Sequence, residues 1–301
     1  MRRQIRHIPV LLDSTLRALD VRAGETVVDC TTGLGGHAAE VLARLQPGGR
    51  LIGLDFDPRN IEIARHTLLA TGGRFTLVHS NFAALPAVLA EAQIPQVDAI
   101  LADLGVASPQ IDDPDRGFSY RRPGPLDMRM DPTRGQPASH LINRLSEKDL
   151  REAFLELGDE TDAPQIAKLI IERRNKSPIV TTEALTAIIC EARDFTLHRA
   201  AGAKLHPAAR TFQALRMLVN RETGNLERLL AVAPNYLKTG GRLVIISFHS
   251  GEDRRVKAAF RDGLRTGTYD DISPDPVTAT AEELLANPRS RSAKLRWAVK
   301  S

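Results

Sequence analysis

The chain has 301 residues, of which 42% are hydrophobic and 26% charged, which suits one large globular domain or a domain that carries an insert. Its 41 Lys and Arg residues barely exceed its 37 Asp and Glu residues, so an anionic partner is permitted but not required. Two cysteines, Cys30 and Cys190, exclude a disulfide framework and a cysteine-based zinc site. This cysteine usage fits a reducing cytoplasm. No apolar run reaches membrane length, so we expect a cytoplasmic protein without a membrane partner.

The first third of the chain alternates helical patterns with short apolar runs. The helical patterns lie at 10–19, 37–45, 58–70 and 83–92, and the predicted strands at 26–29, 50–55, 75–78 and 97–103. This alternation predicts a parallel sheet that is covered by helices on both faces. The nearly continuous apolar strands agree with burial on both sides.

The alternation stops after the fourth strand. A long loop rich in Pro, Gly, Arg and Asp is predicted at 109–137, followed by helices at 146–157, 164–174, 181–194 and 208–221. Further along we predict a helix at 224–238, a strand at 242–248, a helix at 251–264 and a half-exposed antiparallel strand at 294–300 that closes the sheet. The organisation is therefore an α/β domain in two parts, 1–108 and 222–301, with a helical insert at 109–221.

A glycine-rich turn follows the first predicted strand and opens a helix. Its residues Gly33, Gly35 and Gly36 allow a tight turn and a close approach of the backbone to a ligand. Asp55 ends the second strand, where its carboxylate can accept hydrogen bonds from ribose hydroxyls. The pattern indicates an adenosine-containing cofactor and leaves NAD and S-adenosylmethionine (SAM) as alternatives.

Three features favour SAM over NAD. Asp29 ends the first strand, where a carboxylate can lie near a cationic sulfonium and amino group but does not help to bind a pyrophosphate. The terminal antiparallel strand is usual in SAM-dependent methyltransferases, and no residue constellation for hydride transfer is evident. Phe82, after the third strand, fits an adenine contact and a core position equally well.

Asp103 ends the fourth strand and is the candidate catalytic residue. An exocyclic base amine has its lone pair drawn into the ring, so it must be held facing the methyl carbon by hydrogen-bond acceptors that also stabilise the developing positive charge. Asp103 and the backbone carbonyls of 104–109 can supply such acceptors. No spacing of His and Asp residues indicates a metal, and none is predicted.

Along nearly its whole length, the chain resembles the bacterial small-subunit rRNA cytosine-N4 methyltransferases, the RsmH or MraW family. The matching stretches are 7–12, 33–37, 55–58, 103–113, 116–119, 124–131, 206–216, 246–250 and 287–292. The resemblance implies a Rossmann-like class I SAM-dependent methyltransferase sheet with an inserted helical substrate-recognition domain. It also implies methylation of a cytosine N4 in the decoding region of 16S rRNA, in the small ribosomal subunit. The implied SAM contacts are Gly35, Gly36, His37, Asp55, Phe82, Asp103 and Gln110.

Basic residues near the acceptor site and in the insert are candidates for RNA binding. They are Arg116, Arg129, Arg210, Arg216 and His249. Acidic residues interleave with the first of them, so a solvated, ion-paired surface is the alternative interpretation. The sequence departs from the family pattern at Cys30, at Asp162–Pro164 and at Gly251, which puts some RNA contacts or a local helix start in doubt.

Two functional alternatives remain at this point, an NAD-dependent oxidoreductase and a non-catalytic Rossmann-like RNA-binding protein. The sequence also leaves open whether the protein is a monomer or a homodimer. It does not assign the group that accepts the amine proton.

Overall fold

The computed structural model describes residues 9–202 and 206–301. His7 and Ile8, in the first stretch that resembles the methyltransferase family, lie outside the described residues. The chain forms two compact units, one from the residues up to Gly105 with Thr223–Ser301 and the other from Val106–Glu222. The second unit begins at 106 rather than at the predicted 109, and it ends at 222 rather than 221.

The first unit is built on a sheet whose strands run in the order β3-β2-β1-β4-β5-β8-β6, with β7 also paired to β8. Strands β1 to β5 are parallel, and β8 is antiparallel to β5. This arrangement confirms the predicted Rossmann-like α/β class. The strands are β1 Thr26–Asp29, β2 Arg50–Asp55, β3 Arg74–His79, β4 Val97–Asp103, β5 Leu237–Ser247, β6 Tyr269–Ile272, β7 Val277–Thr278 and β8 Lys294–Lys300.

Helices cover the sheet and make up most of the second unit. They are α1 Leu12–Leu19, α2 Gly36–Arg44, α3 Pro58–Leu69, α4 Leu85–Glu91, α5 Ser108–Asp112, α6 Ala138–Arg144, α7 Glu147–Gly158, α8 Ala163–Arg174, α9 Thr182–Ala192, α10 Leu197–Ala201, α11 Ala209–Asn220, α12 Glu222–Val232, α13 Ser250–Arg265 and α14 Ala281–Ala286. No helix among the described residues is both long and apolar enough to cross a membrane.

Successive residues of each central strand enter two different cores, because side chains alternate between the faces of a sheet. On β1, Val28 packs into the core that contains helix residues of α4, α12 and α13, whereas Val27 packs into the core that contains residues of α1, α2 and α3. Leu243 and Val244 of β5 divide in the same way. Burial on both faces explains why these strands are apolar throughout rather than alternating.

Several predicted elements differ from the structure. The predicted helix at 224–238 ends early, since α12 stops at Val232 and Pro234 lies in a 3-10 turn before β5. The strand predicted at 294–300 is antiparallel as expected, but it does not close the sheet, because β6 and β7 pair with its other side. The predicted loop at 109–137 contains α5 and a 3-10 turn at Pro114–Arg116.

The second unit has a separate core formed by its helices. Phe154 of α7 is fully buried there, together with Ile166 of α8 and Leu215 of α11. The end of α7 lies close against α11, since a Cβ built on Gly158 would lie 2.6 Å from the carbonyl oxygen of Arg210. Gly158 is therefore required by packing.

The burial of Phe154 gives the first prediction. We expect Phe154→Ala to destabilise the protein by about 3–5 kcal/mol, because it removes a ring and leaves a cavity. Leu155→Ala, at the half-exposed neighbouring position, is the control and should cost less than about 1 kcal/mol. The measurement is denaturant unfolding followed by circular dichroism. Equal losses in the two variants would contradict this account of the core.

Candidate functional site

The glycine turn between β1 and α2 needs glycine for two physical reasons. Gly33 and Gly35 both have positive φ, +54° and +87°, a region that other residues rarely adopt. A Cβ on Gly35 would also lie 3.2 Å from Cβ of Thr67 and 3.3 Å from Cα of Ala64, both in α3. The Thr67 hydroxyl donates to the carbonyl of Leu34 at 2.9 Å. The turn is therefore held directly against α3.

Asp55 fixes the same turn from the end of β2. Its Oδ2 accepts a hydrogen bond from the Gly33 amide at 2.7 Å, and its Oδ1 accepts from the Asp57 amide at 2.8 Å and from Asn60 Nδ2 at 3.2 Å. Burial raises the pKa of Asp55 to about 6, although these hydrogen bonds lower it. A carboxylate accepts about four hydrogen bonds, so the three protein donors leave room for a ligand hydroxyl.

The end of β4 lies beside the glycine turn. The Asp103 amide donates to Thr31 Oγ1 at 2.6 Å, and Asp103 Oδ2 lies 3.6 Å from Nε2 of His37, in the first turn of α2. The structure therefore brings together the predicted cofactor and acceptor residues Asp103 and His37.

Buried polar atoms without a hydrogen-bond partner cluster at these strand ends. Among the described residues, Asp29 Oδ2, Asp103 Oδ1 and both ring nitrogens of His37 lack one. Asp29 is 1% exposed and His37 is 7% exposed. Because buried polar groups are nearly always paired, the cluster fits a ligand that carries hydrogen-bond donors.

Asp29 is the most perturbed carboxylate of this cluster. Burial raises its pKa from 3.8 to about 7, with further increases from the charges of Asp103 and Asp55, whereas a hydrogen bond from the Thr31 amide and the charge of His37 lower it. Near neutral pH the carboxyl group is therefore only partly ionised. A cation bound nearby would favour the ionised form.

The remaining predicted cofactor residues lie in different surroundings. Gly36 begins α2, and a Cβ there would lie 2.6 Å from Cγ of Pro9. Phe82 begins a 3-10 turn after β3 and packs partly against the core, which leaves its adenine contact a prediction. Gln110 belongs to the second unit, where it is buried and its Oε1 accepts from the Ala107 amide at 2.8 Å.

Two predicted RNA-binding arginines face carboxylates within the second unit. Arg129 makes a bidentate pair with Asp127, with Nε–Oδ1 and Nη2–Oδ2 distances of 2.9 and 2.7 Å. Arg216 pairs in the same way with Glu222, with both distances 2.8 Å. In each pair, two N–H groups of the guanidinium are already bound to a carboxylate of the same protein. This agrees with the alternative interpretation of these arginines as parts of an ion-paired surface.

Internal contacts also account for Arg116 and His249. Arg116 is buried, and it donates to the carbonyls of Arg129 and Met130 at 3.0 and 2.8 Å. His249 caps α13, because its Nδ1 accepts from the Glu252 amide at 3.4 Å and its Nε2 lies 3.1 Å from Glu252 Oε1. Their RNA contacts stay predictions that these structural roles do not support.

Arg210 is partly exposed, unlike the buried Arg116, and among the described residues it faces no carboxylate partner of the kind that Arg129 and Arg216 have. It donates to the carbonyl oxygen of Asp159 at 3.0 Å. A carbonyl is a neutral acceptor, so this contact leaves the guanidinium charge available to a phosphate.

The departures from the family pattern lie in defined local surroundings. Cys30 is buried in the core, and the neighbouring Thr31 supplies the hydroxyl that holds the end of β4. The helix α8 begins at Ala163, and Asp162 directly before it pairs with Arg193 at 2.8 Å. Gly251 lies over the His249 ring, where a Cβ would be 3.2 Å from Nδ1.

The positioning roles of Thr31, Asn60 and Thr67 are not predicted from the sequence, because no motif marks these residues.

The buried Asp29 gives the second prediction. Because burial raises the pKa of Asp29, the folded protein favours the protonated carboxyl group more than the unfolded chain does. The stability that this preference contributes is fully present below about pH 4 and is lost as the pH rises to about 7. The shift of the Asp29 pKa from 3.8 to about 7 corresponds to at most about 4 kcal/mol of unfolding free energy. We expect Asp29→Asn to flatten the dependence of unfolding free energy on pH between pH 5 and 8, measured with urea.

The control for this measurement is Asp13→Asn, which changes an exposed carboxylate in α1. It should keep the wild-type slope. A wild-type slope in Asp29→Asn as well would mean that the Asp29 carboxyl group ionises normally in the folded protein.

Comparisons with known proteins agree with the resemblance. Ribosomal RNA small subunit methyltransferase H of Symbiobacterium thermophilum is 45% identical over 309 residues, covering 98% of this chain and 96% of the relative. The proteins of the same name from Acidobacterium capsulatum and Koribacter versatilis are both 43% identical, covering 98% and 99% of this chain and 98% and 95% of theirs. The model of the MraW methylase family matches residues 4–301. The predicted family is confirmed, and the chain belongs to the MraW methylase family.

Proposed function

We propose that this chain transfers a methyl group from SAM to small-subunit ribosomal RNA, and that the acceptor is the N4 amine of a cytosine in the decoding region of 16S rRNA. The observation that carries the proposal is the position of Asp103 beside the glycine turn, through its amide on Thr31 and its carboxylate near His37. The proposal is supported because the residues predicted to bind the acceptor and the cofactor lie at the same edge of the sheet.

The charges at this edge fit SAM better than NAD. Carboxylates end three neighbouring strands, at Asp29, Asp55 and Asp103, and one histidine, His37, faces them. SAM carries a cationic sulfonium and an ammonium group, whereas NAD carries a pyrophosphate that this cluster would repel. Gly35 and Gly36 would let the backbone approach the cofactor, Asp55 would accept from a ribose hydroxyl, and Phe82 would lie against the adenine.

The protein's part in the chemistry is to orient the acceptor amine. SAM supplies an electrophilic methyl carbon, and the amine must present its weakly available lone pair to that carbon. Asp103 Oδ1 is buried and has no partner among the described residues, so it can accept a hydrogen bond from the amine. Positioning of this kind can lower the barrier by about 7–11 kcal/mol.

The substrate assignment rests on the relatives and on the helical unit. Three relatives of more than 40% identity carry the name of a small-subunit rRNA methyltransferase. The target cytosine must leave its stack, at a cost of a few kcal/mol unless it is already unstacked. We assign substrate recognition to the helical insert, in which Arg210 would contact a phosphate of the RNA. The enzyme would act in the cytoplasm, where ribosomal subunits assemble, as a monomer or a homodimer.

The third prediction tests the activity and the role of Asp103. Purified protein with SAM should methylate small subunits or 16S rRNA, and mapping of the modified base should locate it at a cytosine N4. Asp103→Ala should abolish turnover with only modest loss of RNA binding. Asp98→Ala, at the other end of β4, is the control and should retain activity.

Three results would contradict the proposal in different ways. Wild-type turnover in Asp103→Ala would remove this residue from the mechanism. Calorimetric binding of NAD without binding of SAM would favour an oxidoreductase. Tight RNA binding by an inert wild-type protein would favour the non-catalytic alternative.

The fourth prediction separates an RNA contact from an internal ion pair. Arg210→Gln should weaken RNA binding and reduce the slope of log affinity against log salt by about 1, because one phosphate contact is lost. Arg216→Gln breaks the pair with Glu222, so it should lower stability while leaving the slope unchanged. Binding titrations at several salt concentrations measure both variants. An unchanged slope in Arg210→Gln would exclude its phosphate contact.

A further inference from the structure

We propose that His37 is a positioning residue that takes up, through Asp103, the proton released by the acceptor amine. The inference rests on the proposed function. It follows from the contact between Asp103 Oδ2 and His37 Nε2, which are 3.6 Å apart, and from the two imidazole nitrogens of His37, which are buried without a hydrogen-bond partner among the described residues.

The reaction creates a proton that must be removed. As the bond between the amine nitrogen and the methyl carbon forms, the bond from that carbon to sulfur breaks and its electron pair stays on sulfur. The nitrogen then carries a positive charge and two protons. One N–H bond breaks, its electron pair returns to nitrogen, and the proton passes to the Asp103 carboxylate.

Asp103 alone is poorly suited to keep this proton, because it must be ionised again before the next acceptor arrives. The imidazole of His37 can receive the proton at Nε2, and histidine is the side chain whose charge changes most readily near neutral pH. The present 3.6 Å separation is longer than a hydrogen bond, which needs about 2.7–3.2 Å. Catalytic contacts of this kind often tighten only when the substrate is bound.

Two kinds of neighbouring group act in opposite directions on the protonated ring of His37. The carboxylates of Asp103, Asp29 and Asp55, at the ends of β4, β1 and β2, favour the imidazolium ion. The first turn of α2, which contains the residue, disfavours it because a helix N-terminus carries partial positive charge.

The fifth prediction concerns the pH dependence of methyl transfer. The wild-type single-turnover rate should rise with pH, because only an unprotonated ring can accept the proton. In His37→Gln the rate should fall at least tenfold at pH 7.5 and lose this rise. SAM affinity, measured by calorimetry, should fall by a smaller factor than the rate, which separates the proton transfer from the SAM contact that the resemblance implies for His37.

A matched substitution controls for nonspecific effects. His79→Gln changes a histidine at the end of β3, whose Nε2 lies 3.2 Å from the carbonyl oxygen of Phe56. It should keep the wild-type rate and pH profile. His37→Asn provides a second variant if His37→Gln does not fold, and circular dichroism with thermal unfolding decides that point.

The outcomes separate this inference from the proposed function. A wild-type protein that does not methylate RNA overturns the proposed function. An active wild type with a flat rate between pH 5.5 and 8 overturns only the role of His37. The same conclusion follows if His37→Gln keeps the wild-type rate and profile, which would leave solvent as the proton acceptor. A loss of SAM binding that accounts for the whole rate decrease would show that His37 acts only in cofactor binding.

Discussion

The grouping of three carboxylates at the ends of β1, β2 and β4, with Asp29 buried and Asp55 and Asp103 partly buried, is the constraint on which the site depends. These strands are neighbours in a parallel sheet, so their carboxyl ends meet at one edge and bring Asp29, Asp55 and Asp103 together. Burial of ionised groups is costly unless they are paired. Asp55 is compensated by three donors, whereas Asp29 and Asp103 each keep one oxygen without a partner. A cationic ligand can offset the free-energy cost that remains at Asp29 and Asp103.

The rest of the first unit holds these side chains in place. Its two cores fix the sheet from both faces, and close contacts fix the loops at the strand ends. A Cβ on Gly53 of β2 would lie 2.5 Å from Oγ1 of Thr32, so the loop after β1 lies directly on β2. Such packing stabilises an arrangement that electrostatics alone would not favour, as is common where function opposes stability.

How much could be predicted from sequence depended on whether a feature is local. Strands β2 and β4 have the predicted bounds, because each is a mostly apolar run that ends in Asp. Strand β6 was missed because two of its four residues are Asp, and β7 was missed because two residues are too short to show a period. The hydrogen bond from Asp103 to Thr31 joins residues 72 positions apart. It depends on which strands become neighbours, and no local pattern encodes it.

The arginines show a second limit of local patterns. An arginine in the sequence predicts a phosphate contact and an internal pair equally well, and the folded geometry decides between them. For Arg216, a phosphate would have to displace Glu222 from a bidentate pair, so much of its gain would be offset by the lost pair and by an unpaired carboxylate. Arg210 donates to a neutral carbonyl, so a phosphate contact would cost it far less interaction energy than it would cost Arg216. RNA affinity in this protein should therefore follow the local compensation of each arginine rather than the number of arginines near the site.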